Sequence, residues 1–480
     1  MYEERARLFQ AFCVALIATL GVASCSGGST SVPARGVLPS KLRNHSKLTG
    51  SNLIQHVVII VQENRSFDNL FATFPGADGT TWGHMEGRGP VKLREVNLAE
   101  KCDFGHSYQG FKRDYDGGKM NGFNLEGDSN ISGCPKPAGI LPYQYVNPSQ
   151  IAPYWYMAEQ YVLADQMFQT QGSDSYSSHQ DLIRGGTMID QNQTQSLIDS
   201  PSALPWGCDA PPGTTTSLLV WNGSSLRYER DKGPFPCTNK FPPSGSYATM
   251  RDLLDAKSVS WKYYSPAVVS QGTGRYWNAF DTIFAVRYGP EWGTNVPQAP
   301  NYEKQIFSDI SAGTLPAVAW LVPDELNSDH PGSGSDTGPS WVASVVNAIG
   351  QSSYWNSTAI VIVWDDWGGF YDHVPPPFFD HWGGLGFRVP MIVVSPYARQ
   401  ALPSKPGYIS HTQYEFGSIL RFIEDNWTLG SLNTTDARAT SMADCFDFTQ
   451  PPRAFQMIPA SHPRAYFLHQ PESFKPVDSE

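Results

Sequence analysis

The chain has 480 residues and a formal net charge of -11, with 40% hydrophobic, 13% aromatic and only 16% charged residues. That apolar content excludes a disordered chain, the acid excess excludes a protein that coats nucleic-acid phosphates, and the length is ample for a large core. Aspartate outnumbers glutamate 29 to 16 beside 43 glycines and 38 prolines, so turn-forming residues dominate and long ordered loops are expected.

Residues 8–23 are mostly apolar, follow Arg5 and Arg7, and are too short to cross about 30 Å of hydrocarbon comfortably. They read as the apolar part of an export signal over residues 1–24. Val22-Ala23-Ser24-Cys25 resembles a bacterial lipobox. The expectation is a lipidated Cys25, a flexible tether over 25–50, and a cell-envelope lipoprotein in the periplasm or at the surface. Plain secretion is the alternative. In an exported chain the remaining cysteines are expected in disulfides. Nearest-neighbour pairing joins Cys102 to Cys134 and Cys208 to Cys237 and leaves Cys445 over, although four cysteines permit three connectivities.

Residues 53–61 (LIQHVVIIV) form an apolar, β-branched run that ends at Gln62-Glu63-Asn64. This is the pattern of a buried strand delivering polar side chains at its C-terminal end. Residues 315–322, 359–364 and 389–394 read alike. A helix is expected over 147–163 and another over 340–349. A third is expected over 410–425, with Ser410 and Gln413 as a capping box and a stripe of Phe416, Ile419, Leu420 and Ile423. Buried strands alternating with helices predict an α/β fold with a largely parallel central sheet flanked by helices. Such sheets carry their sites at the C-terminal strand ends, which directs Glu63-Asn64 and Asp365-Asp366 to one site. Polar, Gly- and Pro-rich stretches near 76–134 and 204–245 read as long insertions in a single domain over 51–450. Residues 451–480 read as an irregular tail.

Two adjacent carboxylates at the end of a buried strand are costly unless something positive neutralises them. A divalent cation does so through carboxylate oxygen. Asp365-Asp366 and Glu63-Asn64 together offer such a ligand set, although each pair alone reads equally well as solvated loop acids or a helix start. Residues 171–184 (QGSDSYSSHQDLIR) form a hydroxyl-rich turn before an apolar segment. Ser175, Ser177 and Ser178 are candidate nucleophiles at a helix N-terminus, where backbone N–H groups suit a phosphate ester, or they merely cap the helix. His106, His330, His373 and His411 sit in polar, glycine-rich context. Histidine can bind an anion or protonate a leaving group. His330 and His373 are the better candidates, and His411 reads as a loop-positioning residue. No Walker loop, dinucleotide fingerprint or H-E-x-x-H is present.

These motifs resemble those of the bacterial phosphoesterase family, which contains phospholipases C and acid phosphatases within the alkaline phosphatase superfamily. The resemblance runs through Glu63-Asn64-Arg65-Ser66-Phe67-Asp68, Asp165-Gln166-Met167-Phe168, the turn around Ser175, His330-Pro331-Gly332, residues 364–374, 388–399 and 410–424. It implies a divalent metal at Glu63, Asn64, Asp365 and Asp366 and a hydroxyl nucleophile at Ser175. It also implies phosphate or leaving-group contacts from His106 and His330, with His373 as a further catalytic candidate. The family's turn often reads G-P-[ST]-F-P, whereas this chain has Ser173-Asp174-Ser175-Tyr176-Ser177, so Ser173 and Ser177 stay open if the turn is shifted. The implied function is hydrolysis of phosphate esters through a phosphoseryl intermediate, of phospholipase C type with a phospholipid headgroup as substrate. The alternatives are an acid phosphatase and a non-catalytic surface-tethered binding lipoprotein. Sulfatase chemistry would call for a C/S-x-P-x-R motif, which is not found.

Overall fold

A computed structural model describes residues 52–127, 133–238, 247–268, 274, 276–296, 298–299, 301–378, 380–402, 407–471 and 473. The expected export signal, Cys25 and the whole of the expected tether lie outside the described residues. The central sheet has seven strands: β1 (His56–Gln62), β2 (Val162–Ala164), β3 (Trp261–Tyr264), β4 (Val318–Leu321), β5 (Thr358–Trp364), β6 (Met391–Val394) and β7 (Tyr408–Ser410). Their order is β3-β4-β1-β5-β6-β2-β7. Every neighbouring pair is parallel except the two made by β6, which runs antiparallel to β5 and β2.

The four apolar runs expected as strands are β1, β4, β5 and β6. All seven residues of β5 and all but His56 of β1 are buried, as strands covered on both faces should be. Three strands had no such run. β3 (WKYY) mixes aromatics with a lysine, and β2 and β7 are three residues long.

Five helices matter for the site: α1 (Tyr108–Tyr115), α2 (Ala152–Gln160), α3 (Ser175–Arg184), α4 (Gly338–Gly350) and α5 (Phe416–Trp427). α2 packs against α4 and α3 against α5. The helix expected over 147–163 is shorter. Tyr161 leaves helical geometry at φ -127° and ψ -134°, and Val162 and Leu163 join the sheet between β6 and β7. The helix expected from Ser410 starts later. Ser410 ends β7, and its hydroxyl donates to Asp444 Oδ2 at 2.8 Å. The capping box of α5 is made instead by Glu415 and Ser418. The expected stripe of Phe416, Ile419, Leu420 and Ile423 is buried.

Disulfides join Cys102 to Cys134 and Cys208 to Cys237, while Cys445 is free and buried. The C-terminal tail packs along α4. Asn347 and the backbone of Ile458 exchange hydrogen bonds of 2.9 and 2.8 Å, and the Phe467 ring meets Trp341 edge-on at 5.4 Å.

Candidate active site

Parallel pairing of β1 with β5 sets Gln62 opposite Trp364, and Asp365 N donates to Gln62 O at 3.0 Å. The residues that follow, Glu63-Asn64 and Asp365-Asp366, therefore leave the sheet side by side. β4 ends beside them, because Glu63 N donates to Ser328 O at 2.7 Å, and the loop from there carries His330. Asn64 turns the chain with φ 57°, a left-handed conformation that asparagine tolerates better than most residues. The glycines after Asp365-Asp366 are dictated by crowding. A Cβ on Gly368 (φ +60°) would lie 2.3 Å from Asn64 O, and one on Gly369 (φ +69°) 2.5 Å from Phe104 Cβ.

Helix α3 brings the hydroxyl. Ser175, its first residue, aims Oγ at Asp366 Oδ2 (3.2 Å), Asn64 Oδ1 (3.3 Å) and Glu63 Oε2 (3.4 Å). The other serines of the turn point elsewhere. Ser173 Oγ accepts from Asp199 N at 2.9 Å, and Ser178 Oγ accepts from Gln169 Nε2 at 3.1 Å. Ser177 Oγ is buried and meets no hydrogen-bond partner.

His106 and His330 approach Asn64 from two loops, with their Nε2 atoms 3.0 and 3.2 Å from its amide. In each the other ring nitrogen is pinned. His106 Nδ1 donates to Phe104 O at 2.7 Å and His330 Nδ1 to Pro331 O at 2.6 Å. A carbonyl can only accept, so the variable proton of each ring sits on Nε2. Neutral rings accept from the Asn64 NH2. Protonated rings donate to its oxygen, and the turned amide then donates to Asp365 Oδ1 and Glu63 Oε2. The two rings are thus held with Nε2 toward the acid cluster in either charge state. Buried Arg65 braces the His330 loop by donating from Nε and Nη2 to Asp329 O at 2.9 and 2.8 Å. The Cys102–Cys134 disulfide anchors the loop that carries His106.

A residue outside the sequence expectation joins the cluster. His179, one turn along α3 from Ser175, sets Nε2 2.9 Å from Glu63 Oε1 and 3.7 Å from Asp365 Oδ2. The i, i+4 spacing that puts both side chains on one helix face was the available signal. Trp277, also unforeseen, stacks on His330 at 5.5 Å and lies near-parallel to His179 at 6.4 Å. No sequence pattern marks it, since its loop reaches the site only through the fold.

Burial sets the electrostatics. It pushes the Glu63 carboxyl up to about 8, against the pull of hydrogen bonds from Asp365 and Ser175. Burial and the Glu63 charge raise Asp365 as well. Burial lowers His179 to about 4, so this ring is neutral at physiological pH. Two acids that resist ionisation while a neutral imidazole faces them form a set that wants a cation. Donor atoms of Glu63, His179 and Asp365 all lie within 4.8 Å of one another, and Asp365 Oδ2 is buried with no hydrogen-bond partner. Carboxylate oxygens and one imidazole nitrogen fit a hard or borderline divalent cation.

Not every candidate gathers here. His373 Nδ1 lies 2.7 Å from Asp68 Oδ2 and its Nε2 3.3 Å from Asp78 Oδ1. It belongs to a buried ionic group centred on Arg388, which donates to Asp372 Oδ1 at 2.9 Å and approaches Asp68 Oδ1 at 3.5 Å. Asp68, Asp372 and His373 also lie close enough to hold a metal, but the guanidinium already supplies their positive charge. His411 is largely exposed and ties to Asp165 Oδ2 at 2.8 Å.

A helix-borne hydroxyl lies among buried acids with two pinned imidazoles beside it, and by its family the chain is a phosphoric ester hydrolase. Residues 54–430 match the Phosphoesterase family, and the chain belongs to that family. It is 26% identical over 460 residues to phospholipase C A of Mycobacterium tuberculosis, covering 84% of this chain and 78% of the relative. It is 24% identical over 445 residues to non-specific phospholipase C1 of Arabidopsis thaliana, covering 83% and 72%. Among solved structures it is similar to a protein in the alkaline phosphatase superfamily from Vibrio parahaemolyticus. The TM-score is 0.35 and the identity 10%, over 85% of this chain and 72% of that one.

Proposed function

We propose that this phosphoesterase cleaves phosphodiesters in the manner of phospholipase C, with Ser175 as nucleophile and a phospholipid headgroup in the substrate. The observation that carries the reading is the contact of Ser175 Oγ with Asp366, Asn64 and Glu63 at 3.2–3.4 Å. Glu63, Asn64, Asp365 and Asp366 would hold a divalent cation, with His179 as a further ligand. When bound, that cation supplies Lewis-acid stabilisation of negative charge on oxygen.

Within the chain, Asp366 Oδ2 is the nearest acceptor for the Ser175 proton. Oγ attacks phosphorus opposite the leaving alcohol; the Oγ–P bond forms as the P–O bond to the alcohol breaks. His330 gives its Nε2 proton to the departing oxygen. His106 directs its Nε2–H at the phosphoryl oxygens, and preorganised donors of this kind dominate phosphoryl transfer. Water then attacks the phosphoseryl group from the side the alcohol left. Its proton returns to His330, and Ser175 leaves as the hydroxyl, taking back the proton that Asp366 Oδ2 accepted.

The disulfides fit an oxidising compartment, and among the described residues no helix is long and apolar enough to cross a membrane. We place the chain at the cell envelope, held by lipid on Cys25.

The test is a substrate panel on wild type and Ser175→Ala. Wild type should hydrolyse p-nitrophenyl phosphorylcholine and phospholipid vesicles. Ser175→Ala should lose at least about 1,000-fold in kcat, the scale on which removal of a nucleophile acts. Near wild-type turnover in Ser175→Ala defeats the nucleophile assignment. Hydrolysis of p-nitrophenyl phosphate alone makes the protein a phosphomonoesterase.

A further inference from the structure

Asp174 precedes Ser175 and occupies the N-cap position of α3. It is 2% exposed. Ser200 holds one carboxylate oxygen, donating to Oδ2 from N at 2.7 Å and from Oγ at 2.8 Å. The other oxygen, Oδ1, is buried without a hydrogen-bond partner. A helix N-terminus carries about half a positive charge, which normally favours phosphate. Here an acidic side chain stands at that terminus, next to the residue that would attack phosphorus. Ser200's two N–H and O–H donors are what an ionised carboxylate accepts. Burial raises the Asp174 carboxyl above its usual range, while Ser200 and the positive charge of His106 oppose the rise. His106 and Asp174 therefore feel one another across the site.

We propose that Asp174 is a specificity-determining residue that biases this site toward the monoanion of a phosphodiester and against the dianion of a phosphomonoester. Two esters that differ by one negative charge feel Asp174 differently. Adjacent Cα atoms are 3.8 Å apart, so the carboxylate lies on the order of 7 Å from phosphorus bound at Ser175. One unit of charge at that distance, at an effective dielectric constant of about 20 to 40, corresponds to about ten- to fiftyfold in relative rate. The inference rests on the reading of Ser175 as nucleophile.

The experiment compares kcat/KM for bis(p-nitrophenyl) phosphate, a diester with one negative charge and no cation, and p-nitrophenyl phosphate at pH 8, where the monoester is a dianion. It uses the metal-loaded wild type and Asp174→Asn, which keeps the cap shape and removes the charge. The monoester-to-diester ratio should rise about ten- to fiftyfold, and binding of inorganic phosphate by calorimetry should tighten by a similar factor. Asp174→Ser, another good N-cap, serves if the Asn variant does not fold. Equal scaling of both substrates with unchanged phosphate affinity overturns the inference and leaves Asp174 a helix cap. Loss of the nucleophile reading shows separately, as turnover that survives Ser175→Ala, and phosphate binding reports on Asp174 even then.

Discussion

Metal loading should be strongly pH-dependent, because the acids that would hold the cation keep protons without it. Burial raises Glu63 to about 8 and Asp365 upward too, so this pair holds at least one shared proton at pH 6. A cation must displace that proton to bind. For one carboxyl titrating near 8, lowering the pH from 8 to 6 weakens the apparent affinity roughly 50-fold. Calorimetric titration of the metal-free protein at pH 6 in two buffers of different ionisation enthalpy counts the released protons directly, and the expected count is one or more. The same groups act on stability in the metal-free state. Their folded-state values lie above the unfolded ones, so their contribution is fully present below about 4.5 and is lost as pH rises through about 8. In chelator, the unfolding midpoint should fall between pH 6 and pH 9; with saturating metal, this loss should disappear. Affinity that is flat between pH 6 and 8 with no proton release refutes the view that buried, protonated acids form the metal site.

Arg388→Met should destabilise the fold by about 3–5 kcal/mol, because removing a buried guanidinium strands the Asp372 and Asp68 carboxylates. Urea denaturation reads this, and p-nitrophenyl phosphorylcholine turnover by the remaining folded fraction should stay near wild type. Replacing Cys102 and Cys134 by serine opens a loop with a sequence separation of 32 and should cost about 4 kcal/mol of stability. It should also lower kcat, because the loop carries His106, whereas opening Cys208–Cys237 should affect stability more than kcat.

Much of the site was legible because its parts sit next to strong signals. Glu63-Asn64 and Asp365-Asp366 directly follow the two most continuous apolar runs, and parallel pairing brings their ends together. Ser175 lies in a short hydroxyl-rich turn, and the site serines could be narrowed only by seeing where each Oγ points. His373 follows the acid pair closely in sequence, yet two tight glycine turns carry it away to Arg388. His179 was overlooked because its only mark is the i, i+4 spacing from Ser175, which by itself does not single out a histidine inside a helix.

The sequence by itself determined the α/β class, strands β1, β4, β5 and β6, the acid clusters that follow β1 and β5, and the family. These rest on local patterns: β-branched runs, the polar residues that end them, and turn-forming stretches. Only the tertiary structure decided strands β2, β3 and β7, the late start of α5 and the division of the histidines between site and scaffold. β2 and β7 are three residues long and β3 mixes aromatics with a lysine, so these strands depend on their neighbours and their letters carry little local signal. The same is true of Trp277, which meets His330 and His179 only because a loop distant in sequence folds over both, and long-range packing of that kind leaves no local pattern to read.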